Sequence, residues 1–471
     1  MTEESAMPTG SLSRRSMLAR SGLASGALLA AAAGGAGAQT VTAPTATAPA
    51  TTAPFRLFAA PDMNFSAAFA LGETAYGAGE AGEILATVNA INAAGASHQA
   101  FYDGFIAAAG RVGAIAADAL AAGHRASARS AFLRSAQYYN QALFFVLGTG
   151  TPDREAAIYA LMQRQWNAAT QLFDPPFEPV QIPYETTTLP GYFLAAQQGD
   201  RRGRGGRRPT VIVMNGSDAQ NIDVYAFGGA AAIERGWNAL IFEGPGQGAM
   251  LFERKIPFRP DWEKVITPIV DFLHARPDVD TTRIALTGWS FGGELVTRAA
   301  AFEKRLAAVC ADPGLVSAWD AYPPVIRNLF AGDATAARVN QIWQLHIIPA
   351  LSPSERFTLA KRSEIYGAQY LDAARAGQVF TDLWSFGRTV MQYQVAGVAA
   401  RVTAPMLVTE YEHDQFFPNG GRQLYELLTC PKTLVTFTAA EGAAEHDAPL
   451  APQRRNQVVF DWLDATLKVP G

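Results

Sequence analysis

The chain has 471 residues, of which 49% are hydrophobic and 17% charged, enough apolar material for one large core with accessory elements. A formal net charge of −4 gives no overall attraction for nucleic acid or an anionic membrane surface, so neither is expected as a partner. Two cysteines make no disulfide framework, no Cys/His metal spacing occurs, and no dinucleotide fingerprint is found, so no metal and no cofactor are expected.

In chain order, residues 1–38 read as a twin-arginine signal peptide. Arg14 and Arg15 precede a mildly apolar Ala/Gly-rich run, and Ala36-Gly37-Ala38 fits a small-residue cleavage site. The run is too short and glycine-rich for stable membrane insertion, and the expected address is periplasmic or secreted after passage through the twin-arginine export machinery. Residues 39–55 form a Thr/Ala/Pro linker. Residues 56–175 carry apolar side chains at three- and four-residue spacing in an alanine-rich background, which predicts an N-terminal helical domain of about five helices.

Strand signals begin near 177, where a first strand is expected to pair with 191–195 across a loop over 186–190. The arginine-rich stretch 201–208 follows, expected as a solvated loop because no aromatic platform accompanies it. From Thr210 onward apolar strands alternate with helices, which specifies a mainly parallel sheet with helices on both faces across residues 176–471. An insertion over 316–400, holding Trp319, Trp343, Phe357, Tyr366, Tyr370, Trp384 and Tyr393, is expected as a helical cap over the catalytic edge.

Within this alternation, Gly288-Trp289-Ser290-Phe291-Gly292-Gly293 follows an apolar strand and opens a helix-compatible run. Strand, tight turn and helix are the context of a nucleophile elbow, in which glycines let strand and helix approach while the serine hydroxyl stands clear. Ser290 is therefore the candidate nucleophile. It needs a base, and the base needs a carboxylate to fix its tautomer. After Ser290 the strand near 405–409 runs into Asp414, and the strand near 433–437 runs into His446, so nucleophile, acid and base arrive in the order serine, acid, histidine. Of six histidines, His98, His124 and His274 precede Ser290, His346 falls in the cap, and His413 sits beside the acid. Glu412 is the rival acid, closer to its strand end.

An oxyanion hole needs two N–H groups. Phe291, following the nucleophile, supplies one; Ser217, in Asn215-Gly216-Ser217-Asp218 after an earlier buried strand, is expected to supply the second. The same turn residues also suit the cap of the next helix, so Asp218 carries two readings, helix cap or substrate and proton relay.

With these residues in place the chain resembles a branch of the α/β-hydrolases that contains 2,6-dihydroxypseudooxynicotine hydrolase and fungal polyketide-shortening hydrolases. The resemblance covers residues 65 to the end and rests on Asn215-Gly216-Ser217-Asp218-Ala219, Glu243-Gly244-Pro245-Gly246-Gln247-Gly248, the elbow, and the segment from Glu441 to His446. It implies an α/β-hydrolase fold with a triad of Ser290, Asp414 and His446, and an assisting carboxylate at the position of Asp218. The implied activity is serine hydrolysis of a small carbonyl substrate, either an ester or lactone or a carbon–carbon bond next to a ketone. Two further classes stand beside it. An oligopeptidase-type peptidase would place a β-propeller or an acidic pair before the core, and a non-catalytic binding protein would have lost a triad member. A homodimer is left open.

Overall fold

The computed structural model describes residues 55–196 and 206–469. The signal segment, the linker up to Pro54 and residues 201–205 of the arginine-rich stretch lie outside them.

Five helices come first: α1 (Pro61–Gly72), α2 (Ala81–Ala93), α3 (His98–Ala121), α4 (Arg125–Phe145) and α5 (Glu155–Thr170). Ser97 starts α3 by accepting the Ala100 N–H at 3.1 Å, which satisfies one of the four free donors of the first turn. By length and composition α3 could cross a membrane, with a mean hydropathy of 1.4. Here Phe101, Phe105 and Val112 on one of its faces are fully buried in the core. Alanines recur along α3 and α4, so the two backbones pack closely over much of their length.

The hairpin of β1 (Glu178–Tyr184) and β2 (Thr187–Leu194) then leads into the sheet. Its turn is Glu185-Thr186 with Glu185 at φ 46°, tighter than the loop expected over 186–190, because Thr187 and Leu189 already pair with the first strand. The remaining strands are β3 (Arg208–Met214), β4 (Asn238–Phe242), β5 (Val279–Trp289), β6 (Ala308–Asp312), β7 (Met406–Tyr411) and β8 (Lys432–Phe437). The eight lie in the order β1-β2-β4-β3-β5-β6-β7-β8, antiparallel at the first two pairings and parallel at the other five. Strands β4 and β6 are buried along their whole length, as covering both faces requires, whereas the edge strand β8 is largely half-exposed. This is the α/β-hydrolase fold.

Helices α6 (Asn221–Val224), α7 (Ala230–Glu234), α8 (Gly248–Phe252), α9 (Glu263–His274) and α10 (Gly292–Ala300) connect the central strands. The insertion after β6 folds into α11 (Pro324–Asn328), α12 (Ala336–Ile342), α13 (Pro353–Ser363), α14 (Ala368–Arg375) and α15 (Leu383–Val390), and α16 (Gly420–Leu427) and α17 (Pro452–Leu467) complete the chain.

The N-terminal helices are tied to both other parts. Asp223 in α6 accepts from Gln137 at 3.1 Å and from Asn140 at 2.8 Å, both on α4. The same carboxylate accepts the Gln220 N–H at 2.6 Å in a capping box. The cap of α6 is thus Gln220 with Asp223, and Asp218 does not cap it. Toward the insertion, Arg375 on α14 pairs with the buried Glu155 of α5 at 2.9 Å, and His98, held by Asp62 at 2.8 Å, packs its ring 4.3 Å from that of Phe357 on α13.

Candidate active site

Ser290 sits at φ +57° between β5 and α10. A non-glycine residue rarely adopts this conformation, and its neighbours hold it there: the Ser290 N–H donates to the Asp312 carbonyl at 2.8 Å and the Gly293 N–H to the Ser290 carbonyl at 2.9 Å. A Cβ on Gly293 would lie 1.9 Å from the Pro313 carbonyl oxygen, so only glycine allows α10 to start this close to the end of β6.

His446, in the loop after β8, is 2% exposed. Its Nε2 is 2.9 Å from Ser290 Oγ and its Nδ1 is 2.9 Å from Asp414 Oδ2. The other oxygen of Asp414 accepts the N–H groups of Phe416 and Phe417, each at 2.8 Å. Burial alone would raise the Asp414 carboxyl; the charge and hydrogen bond of His446, with the two backbone donors, outweigh it and hold the group below the ordinary value. An ionised Asp414 accepts only, so Nδ1 carries a hydrogen, and in the neutral imidazole Nε2 is left to accept from Ser290. Burial pulls the imidazole down, yet the charge of Asp414, and that of Asp447 when it is ionised, more than offset it and raise His446 to about 9; with the proton on Asp447 instead, the second of these charges is gone and the neutral imidazole is favoured. Phe416 packs edge-on to the ring at 4.9 Å and fixes its plane. Glu412, the rival acid, instead accepts the Ala439 N–H at 2.8 Å on the exposed side, and His413 lies between Glu412 and Glu445 at the surface.

The loop after β3 lies against the elbow. A Cβ on Gly216 would fall 2.7 Å from the Phe291 nitrogen, in the space before that N–H. Gln247 Nε2 donates to the carbonyls of Asn215 at 2.9 Å and Gly216 at 3.0 Å, and its Oε1 accepts the Gly244 N–H at 3.0 Å. In a trans peptide the N–H points opposite to the carbonyl, so turning the Gly216 carbonyl toward Gln247 turns the Ser217 N–H away from it. Neither the Ser217 nor the Phe291 N–H donates to another described group, and both residues line the cavity. Glu243 closes the brace, accepting from Tyr159 at 2.9 Å, Asn221 at 3.0 Å and the Ala249 N–H at 2.9 Å, and burial pushes its carboxyl up to about 7.

Asp218 accepts from Ser217 Oγ at 3.0 Å and pairs with Arg362 of α13. Burial opposes ionisation, but Arg362, Lys361 and these hydrogen bonds prevail and hold the carboxyl below the ordinary value. It is a carboxylate with no proton to give near neutral pH, and it fixes a guanidinium in the cavity wall.

The triad opens on a cavity of about 240 Å³. The insertion contributes Tyr322, Trp343, Tyr366 and Phe386; of the seven aromatic residues expected in the cap, only Trp343 and Tyr366 reach it, and Trp384, for example, stacks on Phe330 at 5.5 Å within the insertion. Sequence reasoning missed that Phe65, Phe69 and Phe144 of the N-terminal helices form the opposite wall. It also missed the brace by Gln247, whose glycine-rich surroundings carry no local sign of that role, and Asp447, which the sequence marks only as the neighbour of His446. Arg362 has no local signal, because its role depends on where the insertion lands.

The Esterase FrsA-like family matches residues 107–341, which include Ser290 but neither Asp414 nor His446. Hydrolase ORFZ of Pyricularia oryzae is 29% identical over 435 residues, covering 86% of this chain and 97% of that protein. The 20-hydroxy-prefusarin hydrolase FUS2 of Gibberella moniliformis is 30% identical over 262 residues, and the match spans 62% of its length. Among solved structures, the 2,6-dihydroxy-pseudo-oxynicotine hydrolase superposes with a TM-score of 0.61 at 19% identity, covering 84% of this chain and 95% of that one, a likeness of fold.

Proposed function

We propose that this chain, which has the α/β-hydrolase fold, is a serine hydrolase that attacks a carbonyl carbon of a small, largely apolar substrate and cleaves the bond to an ester oxygen or to the carbon flanked by a second ketone. The observation that carries the reading is the hydrogen-bonded run Ser290 Oγ, His446 Nε2, His446 Nδ1, Asp414, with 2.9 Å at each contact, opening on a cavity walled largely by aromatic and aliphatic side chains.

In this reading Ser290 Oγ attacks while its proton passes to His446 Nε2, and Asp414 stabilises the imidazolium. The oxyanion lies before the Phe291 and Ser217 N–H groups, which are set in advance by the elbow and by Gln247 and need no rearrangement as charge develops. Arg362, held by Asp218, faces the same cavity and suits the enolate that departs when a ketone-flanked carbon–carbon bond breaks. Asp218 thereby contributes through Arg362. Water then repeats the sequence on the acyl-enzyme. The motif resemblance to polyketide-shortening and pseudooxynicotine hydrolases favours polyketide or aryl ketone substrates.

A panel of aryl esters, lactones and β-diketones, run against the Ser290→Ala variant, tests the reading. Turnover that survives in that variant, or a serine-reactive phosphonate labelling another residue, would end it. Export belongs to the same proposal and rests on Arg14 and Arg15. Replacing both by lysine should trap a precursor in the cytoplasm, and unchanged export would point to another route.

A further inference from the structure

The reacting nitrogen of His446 has two neighbours. Ser290 Oγ is 2.9 Å from Nε2 on one side, and Asp447 Oδ2 is 3.2 Å from it on another. A triad accounts for the first and leaves the second without a task. The Asp447 side chain is 4% exposed, its Oδ1 has no hydrogen-bond partner among the described residues, and it lines the cavity together with Ser290. Its position is imposed: Asp447 at φ 64° and Ala448 at φ 49° are consecutive left-handed residues without glycine, and the Ala448 N–H is tied to the Glu445 carbonyl at 2.8 Å.

We propose that Asp447 is a second proton carrier of the active site, giving its proton to the departing group and taking it back from His446. The inference rests on the serine-hydrolase reading above. The groups facing Asp447 suit the task. Burial raises its carboxyl well above the usual range, His446 opposes this, and the carboxylates of Asp312 and Asp414 add to it. Arg455 pulls the other way, but its Nε is paired with Asp312 at 2.5 Å and burial still prevails.

The step balances. Ser290 Oγ forms a bond to the carbonyl carbon as its proton moves to His446 Nε2. The scissile bond breaks with its electron pair on the leaving carbon or oxygen, which takes the proton of Asp447. The resulting carboxylate recovers a proton from Nε2–H, leaving His446 neutral to activate water. A leaving carbanion or alkoxide needs this proton, whereas a nitrophenolate leaves without one.

The test is a series of esters with one acyl group and leaving groups running from 4-nitrophenol to a simple alkanol, with acylation followed under single-turnover conditions. Wild-type rates should vary by less than about tenfold across the series, and Asp447→Asn should slow the alkyl ester at least ~100-fold more than the nitrophenyl ester. Asparagine tolerates the left-handed backbone, and phosphonate labelling of Ser290 in the variant verifies an intact site. A steep dependence in the wild type, or equal slowing across the series in Asp447→Asn, would overturn the proposal. The series uses esters only, so absence of β-diketone turnover leaves it intact, while failure of the wild type to label at Ser290 strikes the serine-hydrolase reading instead.

Discussion

The elbow and the cavity wall stand within a few ångströms of each other and are held by different means. At the elbow the constraints are backbone ones: the strained φ of Ser290, the Asp312 and Gly293 hydrogen bonds, and a glycine where any Cβ would strike the Pro313 carbonyl. The wall is made of side chains from elements hundreds of residues apart, with Phe65 and Phe144 on one side and Trp343 and Phe386 on the other. Its geometry depends on how α1 and α4 dock against the insertion, through contacts such as His98 on Phe357 and Glu155 with Arg375. The elbow can therefore stay fixed while the wall changes, which lets one chemistry serve many substrates. The segment after β3 links the two, its loop touching the elbow through Gly216 and the following α6 touching the N-terminal helices through Asp223.

The sharpest break of the comparison is at the triad. Ser290→Ala and His446→Ala should each lower kcat by about 10⁴-fold or more with the thermal midpoint nearly unchanged, because the members act as one unit. Asp414→Asn should cost about 10³- to 10⁴-fold, since the amide offers Nδ1 the wrong partner. Glu412→Gln, whose carboxylate receives the Ala439 N–H and faces His413 at the surface, should change kcat little. Steady-state kinetics on an activated aryl ester decide the ranking, and the reverse order for the two acids would move the assignment to Glu412.

What could be read ahead of the structure follows the same division. Ser290, His446 and Asp414 each lie just past a strand that the apolar pattern marks, so their order along the chain implies their meeting at one sheet edge, and the eight-stranded architecture follows from the same alternation. The hairpin turn is Glu185-Thr186 rather than a loop over 186–190, because the β-branched Thr187 and Thr188 already pair with β1. Asp218 was open to a capping role because Asn, Gly, Ser and Asp favour turns, whereas the capping box lies two residues on, at Gln220. The aromatic wall from α1 and α4 was hidden for a deeper reason: periodicity tells which face of a helix is apolar, and Phe65 and Phe144 look the same whether that face meets a core or a cavity.

Gln247 tests the region between. Gln247→Leu keeps the volume but removes both donors to the Asn215 and Gly216 carbonyls and the acceptor for Gly244. If those contacts aim the Ser217 N–H, kcat should fall by roughly 100-fold with a small change in KM, because the donor acts mainly on the charge of the transition state. A loss confined to KM, or to thermal stability, would make Gln247 a packing residue and leave the oxyanion hole to Phe291 and another donor.

The smallest effect is expected at the wall. Phe144 stands on α4 with its ring 6.0 Å from that of Phe357 and faces the cavity, far along the chain from the elbow and without a hydrogen bond to it. Phe144→Ala removes a phenyl ring from one side of a space of about 240 Å³, so a substrate that fills the cavity loses contacts while the reacting atoms keep theirs. Full burial of a phenylalanine is worth about 1.5 to 3 kcal/mol, and Phe144 is only partly buried, so the loss in binding should stay near 1 kcal/mol, roughly a fivefold rise in KM. The thermal midpoint should drop by a few degrees for the same reason. Bulkier acyl groups should gain relative to smaller ones, because the space vacated lies open to them. The contrast with Gln247→Leu is the point of the measurement: a change near the wall should appear in KM and substrate size preference, and one at the loop in kcat. If Phe144→Ala instead lowered kcat as far as Gln247→Leu does, the wall would be positioning the reacting groups, and elbow and wall would have to be treated as one coupled unit.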